Sequence, residues 1–417
     1  MATSKRGTWA TIRRIAASDR ISGLIMLGFA LAGLLLANLP FTAHAFEQLE
    51  NFRIAIPHTN IDMGLGHWVQ DGLLTVFFLT VGLELKQELT TGSLSNPKAA
   101  AVPMLCAVGG MLAPPVLFIG VISLFAAAGS GQLVIASGTS FSFAQMSNGW
   151  AVPTATDIAF SLAVLALFAK ALPGSIRAFL MTLATVDDLL AIILIAVFFS
   201  SVNAWYWFLG IAVCAVVWYF LVRMRKVPWL AVAIVGVLAW VMMFEAGVHP
   251  TLAGVLVGLL TPAHERFGEK MPRAEHYADK LQPFSALLAL PIFALFATGV
   301  HFESLTLALF VSPVVVAVMV ALVVGKPLGI MTTACCPRTW RSEDGQGAAR
   351  ARHVPRRLRC GIGFTVSFLI ASLAYQDAEL SAEARFASWW VHGRSRDLRY
   401  SAEPSIQTIR TGGRYEA

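Results

Sequence analysis

Long apolar stretches constrain the fold of this chain more than any other feature of its sequence. A helix needs about 20 apolar residues to cross the ~30 Å hydrocarbon core of a bilayer. Eleven candidate spans, of which 246–260 and 360–374 are short, lie at residues 21–39, 69–85, 100–125, 152–169, 176–199, 204–222, 228–243, 246–260, 283–300, 306–334 and 360–374. Charged residues are only 13% of the chain, against roughly a quarter in soluble domains. The sequence therefore predicts an all-α polytopic membrane protein.

The first span could also be a cleaved signal peptide, because basic residues precede it and "AHA" at 43–45 is typical of a cleavage site. Its apolar stretch is 19 residues long, however, and signal peptides usually have about 7–15. We interpret it as an uncleaved membrane helix that follows a cytoplasmic segment at residues 1–20.

The distribution of Lys and Arg indicates the orientation. If residues 1–20 are cytoplasmic and each span crosses once, the outside loops contain only Arg53 up to residue 336, and the inside loops contain the other basic residues. Cytoplasmic loops are enriched in Lys and Arg in this way.

Motifs for cofactors are missing from the sequence. The five cysteines have no metal-ligand spacing, and there is no phosphate-binding loop, dinucleotide glycine pattern or HExxH motif. We expect no cofactor and no nucleic-acid partner.

Ionisable residues within the spans are the candidates for function. Charges at membrane depth are rare and by default face a cavity or one another. Those in this chain are Asp71, Glu84, Asp157, Asp187, Asp188, Glu245 and Lys326. For Glu245 we prefer the interpretation of a neutralised or snorkelling side chain near a helix end. For Asp71 and Glu84 that interpretation and a functional one have equal weight.

Asp187 and Asp188 are adjacent in the apolar run "LATVDDLLAII" at 183–193. Neighbouring helix residues point about 100° apart, so one acid can face a cavity while the other faces another helix. Carboxylate oxygens suit hard cations, and desolvation and like charges raise the pKa of carboxyl groups in general. Two acids and Lys326 at membrane depth therefore predict a site for which a cation and protons compete.

Two spans contain residues that interrupt helices. "AVPTATDIAFSL" has Pro153, Thr154, Thr156 and Asp157 near its start, and "CGIGFTVSFLIASL" begins at 360 with several glycines. Broken membrane helices expose backbone groups and are tolerated where they line a cavity. Proline and glycine also occur in ordinary membrane helices, so this pattern alone leaves both interpretations open.

Six ordered motifs resemble those of NhaA-type sodium/proton antiporters of bacterial inner membranes. They are "VFFLTVGLELKQEL" (76–89), "GWAVPTATDIAFSLAVLAL" (149–167), "FLMTLATVDDLLAIILIA" (179–196), "GVHPTLAGVLVG" (247–258), "GKPLGI" (325–330) and "CGIGFTVSFLIASLA" (360–374). The resemblance implies a bundle of inverted repeats with discontinuous helices 4 and 11. Residues 21–336 would form the antiporter domain with helices 1–10.

The resemblance also implies roles for single residues. Asp187 and Asp188 would bind the cation and protons, with Asp188 as the principal ligand, and Lys326 would pair with Asp187. Thr156 and Asp157 would compensate charge where the broken helices cross. Positions linked to pH response are Glu84, Lys86, Glu88, His249, Glu275 and His276.

For some of these residues a structural role is an alternative. A lone histidine at a helix end, such as His249, is more often structural than a sensor, and Glu84 and Glu88 can be solvated surface charge.

The activity implied by the resemblance is electrogenic exchange of Na⁺ or Li⁺ for protons, two protons entering per cation, for sodium and pH homeostasis. The protein would lie among lipid in the inner membrane and form a homodimer through the segment after helix 1.

The C-terminal part departs from the family. Residues 337–359 contain seven arginines where a short loop and the first half of helix 11 are expected, 360–386 is a remnant of helix 11, and 387–417 is a polar tail where helix 12 is missing. From residue 337 onward there are 13 arginines and no lysine. This pattern indicates a shifted reading frame at about 337–359 and again after 386; the alternative is a natural cytoplasmic loop and tail.

Three functions follow from these patterns. The first is Na⁺/H⁺ antiport, and the second is an inactive, truncated or frameshifted family member. The third is an intramembrane aspartyl protease using Asp157 and Asp188, although its sequence motifs are lacking and it leaves Lys326 unexplained.

Overall fold

Apolar helices dominate the computed structural model of the chain, which describes residues 15–16, 18–56, 61–129, 133–155, 174–299, 307–334 and 365–394. The α-helices in these ranges are α1 (Asp19–Asn38), α2 (Ala43–Glu50), α3 (Leu65–Thr90), α4 (Pro97–Ala128), α5 (Phe143–Ser147), α6 (Gly174–Phe198), α7 (Tyr206–Leu221), α8 (Trp229–Glu245), α9 (Leu252–Leu260), α10 (Arg273–Ala297), α11 (Pro313–Ala334), α12 (Thr365–Ala374) and α13 (Ala378–Arg394). Within the described residues, six of them are long and apolar enough to cross a membrane. The prediction of an all-α polytopic protein is confirmed.

Short strands and 3₁₀ turns lie between these helices. β1 (Arg53–Ala55) pairs antiparallel with β2 (Asp62–Gly64), and β3 (Leu133–Val134) pairs antiparallel with β4 (Ser140–Phe141). The 3₁₀ segments are Ser93–Ser95, Asn148–Thr154 and Leu307–Val311. From the predicted cytoplasmic start, alternation of the spans leads us to expect both hairpins on the external side.

Three of the long helices contain π segments, at Trp68–Leu73 in α3, Ser285–Ala289 in α10 and Ala321–Gly325 in α11. A π segment widens the helix locally and often accompanies a functional site. The one in α11 ends immediately before Lys326.

Apolar side chains cover the outer surface of several helices. Leu209 on α7 and Leu230 on α8 are 72% and 76% exposed, and Val116 on α4 is 70% exposed. In a chain with membrane-spanning helices, such side chains face lipid.

Glycines allow two helix pairs to pack backbone against backbone. A Cβ on Gly258 of α9 would lie 2.7 Å from the backbone carbon of Gly82 in α3, and one on Gly329 of α11 would lie 2.0 Å from the carbonyl oxygen of Gly109 in α4. Small residues permit this close approach in membrane bundles.

The C-terminal end of the described chain corrects one expectation. The sequence predicted a helix 11 remnant up to residue 386 and a polar tail from 387, but α13 continues without a break from Ala378 to Arg394, so residues 387–394 of the predicted tail are helical. Its mean hydropathy is low because it carries Glu383 and Arg385, which bind protein groups: Arg385 donates to the Ala297 carbonyl at 3.2 Å, and Glu383 is described below. The helix packs along α11 and α12.

The direction of α13 follows from its contacts. Its first turns touch the β3–β4 hairpin and the residue before α11, both expected to be external from the predicted cytoplasmic start. Its 17 residues are about 25 Å long. With that start we expect Arg394 on the cytoplasmic side, as the positive-inside bias favours.

Several expectations lie outside the described residues. These are most of the cytoplasmic segment 1–20, residues 156–169 of the span predicted at 152–169, the Arg-rich segment 337–359, the start of helix 11 and the tail beyond residue 394.

Candidate functional site

The centre of the site is a buried ion pair between Lys326 and Asp187. The Lys326 Nζ donates to Asp187 Oδ2 at 2.7 Å and to the Thr154 carbonyl oxygen at 2.6 Å. Lys326 is 2% exposed and Asp187 is 4% exposed. A cation at this depth is stable only because a carboxylate and a carbonyl both accept from it.

Asp188 is the next residue on α6 and is also buried, at 8% exposure. The ~100° rotation between neighbouring helix residues turns its side chain away from the direction that Asp187 takes toward Lys326. We expected one acid to face a neighbouring helix and the other to face a cavity. Asp187 faces a neighbouring helix, α11, through its contact with Lys326.

The Thr154 carbonyl is available because the helical pattern ends there. Asn148–Thr154 is a 3₁₀ segment that contains Pro153, and Ala155 after it is extended, with φ −79° and ψ 144°. The Ala155 carbonyl accepts from Ser367 Oγ of α12 at 3.3 Å. Side chains of α11 and α12 thus satisfy two carbonyls that a continuous helix would have bonded internally.

Apolar packing fixes α6 and α11 around this pair. Val186 of α6 and Ile330 of α11 belong to one buried cluster with Cys106 and Ala107 of α4. Gly325, the last residue of the π segment, packs so closely that an added Cβ would lie 3.0 Å from the Cα of Pro114 in α4. α4 therefore supports both helices that carry the charges.

Of the residues predicted to compensate charge, the structure describes Lys326 but not Thr156 or Asp157, which lie just beyond the described range that ends at 155. Their predicted roles are unchanged by the structure.

The residues predicted to respond to pH fall in two places. Glu84, Lys86 and Glu88 lie in the last turns of α3, and Glu275 and His276 lie in the first turns of α10. These helix ends are neighbours, since Leu83 packs against Ala274 and Ala278.

His249, the remaining residue predicted to respond to pH, lies apart from these two helix ends. It precedes α9 and is 7% exposed, with its Nδ1 3.7 Å from Asp71 Oδ1 of α3 and 3.3 Å from Thr251 Oγ1. The backbone carbonyl of Asp71 accepts from Trp240 Nε1 at 2.8 Å. The structure separates His249 from the cytoplasmic group.

The sequence did not reveal two contacts: the approach of Asp71 to His249 and the hydrogen bond from Lys326 to the Thr154 carbonyl. Asp71 was recognised as an acid at membrane depth, but its contact with His249 joins residues far apart in the chain. The Thr154 carbonyl is a backbone group, and the only signal for it was the proline beside it in a suspected break.

A cytoplasmic ion pair holds the loop before α10. Arg273 is buried and donates to both carboxylate oxygens of Glu269, at 2.6–3.0 Å, and to the carbonyls of Val222 and Met224 at 2.8 and 2.6 Å. These hydrogen bonds from Arg273 lower the pKa of Glu269 below its usual 4.5.

Comparison with known proteins shows the family. The family model described as Na⁺/H⁺ antiporter 1 matches residues 13–388. The chain belongs to this family. Members are transporters rather than enzymes, and they lie in the inner membrane, so the chain is a multi-pass inner-membrane transporter.

Individual relatives cover most of the chain. The Na⁺/H⁺ antiporter NhaA of Bifidobacterium adolescentis is 93% identical over 392 residues, which are 93% of this chain and 85% of that protein. The protein of the same name from Bifidobacterium longum is 72% identical over 395 residues, 92% of this chain and 83% of the relative. Antiporter NhaA 3 of Streptomyces coelicolor is 39% identical over 373 residues, 89% and 75% of the two chains.

Proposed function

We propose that the chain exchanges Na⁺ for protons across the inner membrane and that the cation and the protons compete for Asp187 and Asp188. The observation that carries this proposal is the buried Lys326–Asp187 pair with Asp188 beside it on the same helix. Family membership supplies Na⁺ and H⁺ as the transported ions.

Competition couples the two fluxes. Na⁺ needs deprotonated carboxylates as ligands, so its binding releases protons from the site. When the site faces the other side of the membrane and Na⁺ leaves, protons return to the carboxylates. Because the same oxygens take either ligand, neither ion crosses without the other.

Lys326 compensates the charge of Asp187 when no cation is bound. When Asp187 is ionised without Na⁺, the ammonium at 2.7 Å supplies the compensating charge. Incoming Na⁺ bound mainly by Asp188 then adds one charge to a site that already contains a matched pair.

Two protons per cation would make the exchange electrogenic. One net positive charge then enters per cycle, and a membrane potential supplies about 2.3 kcal/mol per 100 mV for each such charge. Li⁺, another hard monovalent cation, fits the same carboxylate oxygens. We propose that it is a second substrate.

The acids at the cytoplasmic ends of α3 and α10 would gather cations and set the pH range of activity. Glu84 and Glu88 are one turn apart on α3, and His276 lies in the first turns of α10 beside Glu275. His249 would act at the other end of α3 through Asp71.

Lipid and a second copy of the chain are the proposed partners. The exposed apolar faces of α7 and α8 fit lipid, and β1 is exposed along its whole length. An open strand edge is a template for pairing. We expect Phe52→Asp, next to β1 and 62% exposed in the wild type, to increase the monomer fraction in detergent.

Asp188→Asn tests the site directly, because it removes a hard anionic ligand and a titratable group together. We expect loss of Na⁺-dependent proton exchange in everted vesicles, while exchange at the unmodified rate would contradict the site assignment. Asp279→Asn, an exposed acid of α10, is the matched control and should exchange normally.

An inactive family member is the second candidate function, since the sequence departs from the family at 337–359. Proton release from the purified chain on addition of Na⁺ separates the two candidates. Release supports antiport, and no release from folded protein supports inactivity.

A further inference from the structure

Glu383 of α13 is a buried carboxylate that the proposed transport cycle does not use. It is 3% exposed. Its Oε1 accepts from the Ala136 N–H at 3.0 Å and its Oε2 accepts from the Ser312 hydroxyl. Hydrogen bonds to an ionised acceptor are about twice as strong as those between neutral groups.

The two partners of Glu383 lie on the two segments that meet at the ion pair. Ser312 immediately precedes α11, which carries Lys326. Ala136 lies between β3 and β4, and the chain continues from there to Thr154, whose carbonyl accepts from Lys326. Glu383 therefore joins the external ends of both segments.

Tyr375, between α12 and α13, binds the segment from Ala136 to Thr154 at another point. Its hydroxyl donates to the Met146 carbonyl at 2.7 Å, and a Cβ on Gly149 would lie only 2.1 Å from that hydroxyl oxygen. The 3₁₀ segment that ends at Thr154 thus packs against the connection between α12 and α13.

We propose that Glu383 is a positioning residue for the exchange. It holds the external end of α11 and the segment ending at Thr154 in the relative position in which Lys326 reaches both Thr154 and Asp187. The inference rests on the proposed function. A site that binds small ions is sensitive to displacements of about 1 Å, so the position of these two segments affects binding.

A labelling experiment tests the positioning without transport. Thr154→Cys, in a chain whose five native cysteines are replaced, is the reporter, because Thr154 is 1% exposed. Its reaction with a membrane-permeant maleimide is compared in the reporter alone and with Glu383→Ala, Glu383→Gln or Glu379→Ala added.

Glu379→Ala is the matched control. Glu379 lies one turn earlier on α13, is exposed, and accepts from Ser137 of the same hairpin at 2.9 Å. We expect Glu383→Ala to label about tenfold faster, corresponding to about 1.4 kcal/mol of lost positioning. Glu379→Ala should label like the reporter, and the isosteric Glu383→Gln, which can still accept from Ala136, should fall between.

Transport kinetics in vesicles give the second measurement. A displaced site binds Na⁺ less well, so Glu383→Ala should raise the apparent KM for Na⁺ about tenfold, with partial rescue in Glu383→Gln. A merely structural role would reduce the amount of transporter, and hence Vmax, without changing KM.

Three outcomes would overturn the proposal: unchanged labelling in Glu383→Ala, equal acceleration in Glu379→Ala, or a loss confined to Vmax. If Glu383→Ala does not accumulate, Ser312→Ala replaces it, because the Ser312 side chain makes no capping bond to α11. Faster labelling in this variant supports the proposal and unchanged labelling contradicts it. Faster labelling in a chain that shows no antiport even when unmodified would support the positioning and contradict the proposed function.

Discussion

Replacing Lys326 by methionine keeps most of the side-chain volume and removes the charge. The Asp187 carboxylate, which is 4% exposed and lies 2.7 Å from the Lys326 ammonium in the unmodified chain, would be left buried without its cation. Removing one partner of a buried ion pair costs about 3–5 kcal/mol, whereas replacing both partners by well-packed hydrophobic residues of similar volume is often neutral. Lys326→Met should therefore lower the free energy of unfolding by about 3–5 kcal/mol, and Asp187→Leu combined with Lys326→Met should recover most of it.

Thermal unfolding in detergent, followed by the loss of monodisperse protein on heating, measures this cycle. We expect a melting temperature several degrees lower for Lys326→Met and a value near that of the unmodified chain for the double variant. Lys280→Met, at an exposed lysine of α10, is the control. A double variant no more stable than Lys326→Met would refute the argument that an uncompensated Asp187 causes the loss.

Two further predictions concern packing and pH. Gly329→Ala should destabilise the bundle by at least about 1–3 kcal/mol because its Cβ overlaps the Gly109 carbonyl, whereas Gly120→Ala, with nothing within 4 Å of the added carbon, should melt normally. Since the Arg273 hydrogen bonds hold the pKa of Glu269 below 4.5, this carboxylate stabilises the fold above its unfolded pKa and ceases to do so as pH falls through the lowered value. Melting temperatures measured from about pH 6 to about pH 3 should therefore fall less steeply for Glu269→Gln; parallel curves would contradict this.

Composition and residue type were enough to predict the class of fold and to single out the buried charged residues of the candidate site. Apolar stretches of spanning length are readable without tertiary information. Asp187, Asp188 and Lys326 were identifiable because charges at membrane depth are rare. The family resemblance then paired Lys326 with Asp187, and the two side chains are in contact in the structure.

Contacts between distant segments were the part that the sequence did not supply. The boundary at 386/387 was drawn from the polar, Arg-rich composition of the residues that follow, whereas α13 crosses it as one helix. Its buried charged side chains, Glu383 and Arg385, are bound by protein groups of distant segments. The meeting of Asp71 with His249 depends on how α3 and α9 pack. The role of the Thr154 carbonyl depends on backbone geometry, which residue identity does not encode directly.

The pH dependence of the apparent KM for Na⁺ tests the central claim, competition between Na⁺ and protons for Asp187 and Asp188. It is measured in everted vesicles from about pH 6.5 to about pH 8.5, with the proton gradient followed by a fluorescent dye. Competition requires the apparent KM to rise as pH falls, because protons occupy the carboxylates that Na⁺ needs, with a nearly constant Vmax at saturating Na⁺. An apparent KM that does not change across this range would contradict the account.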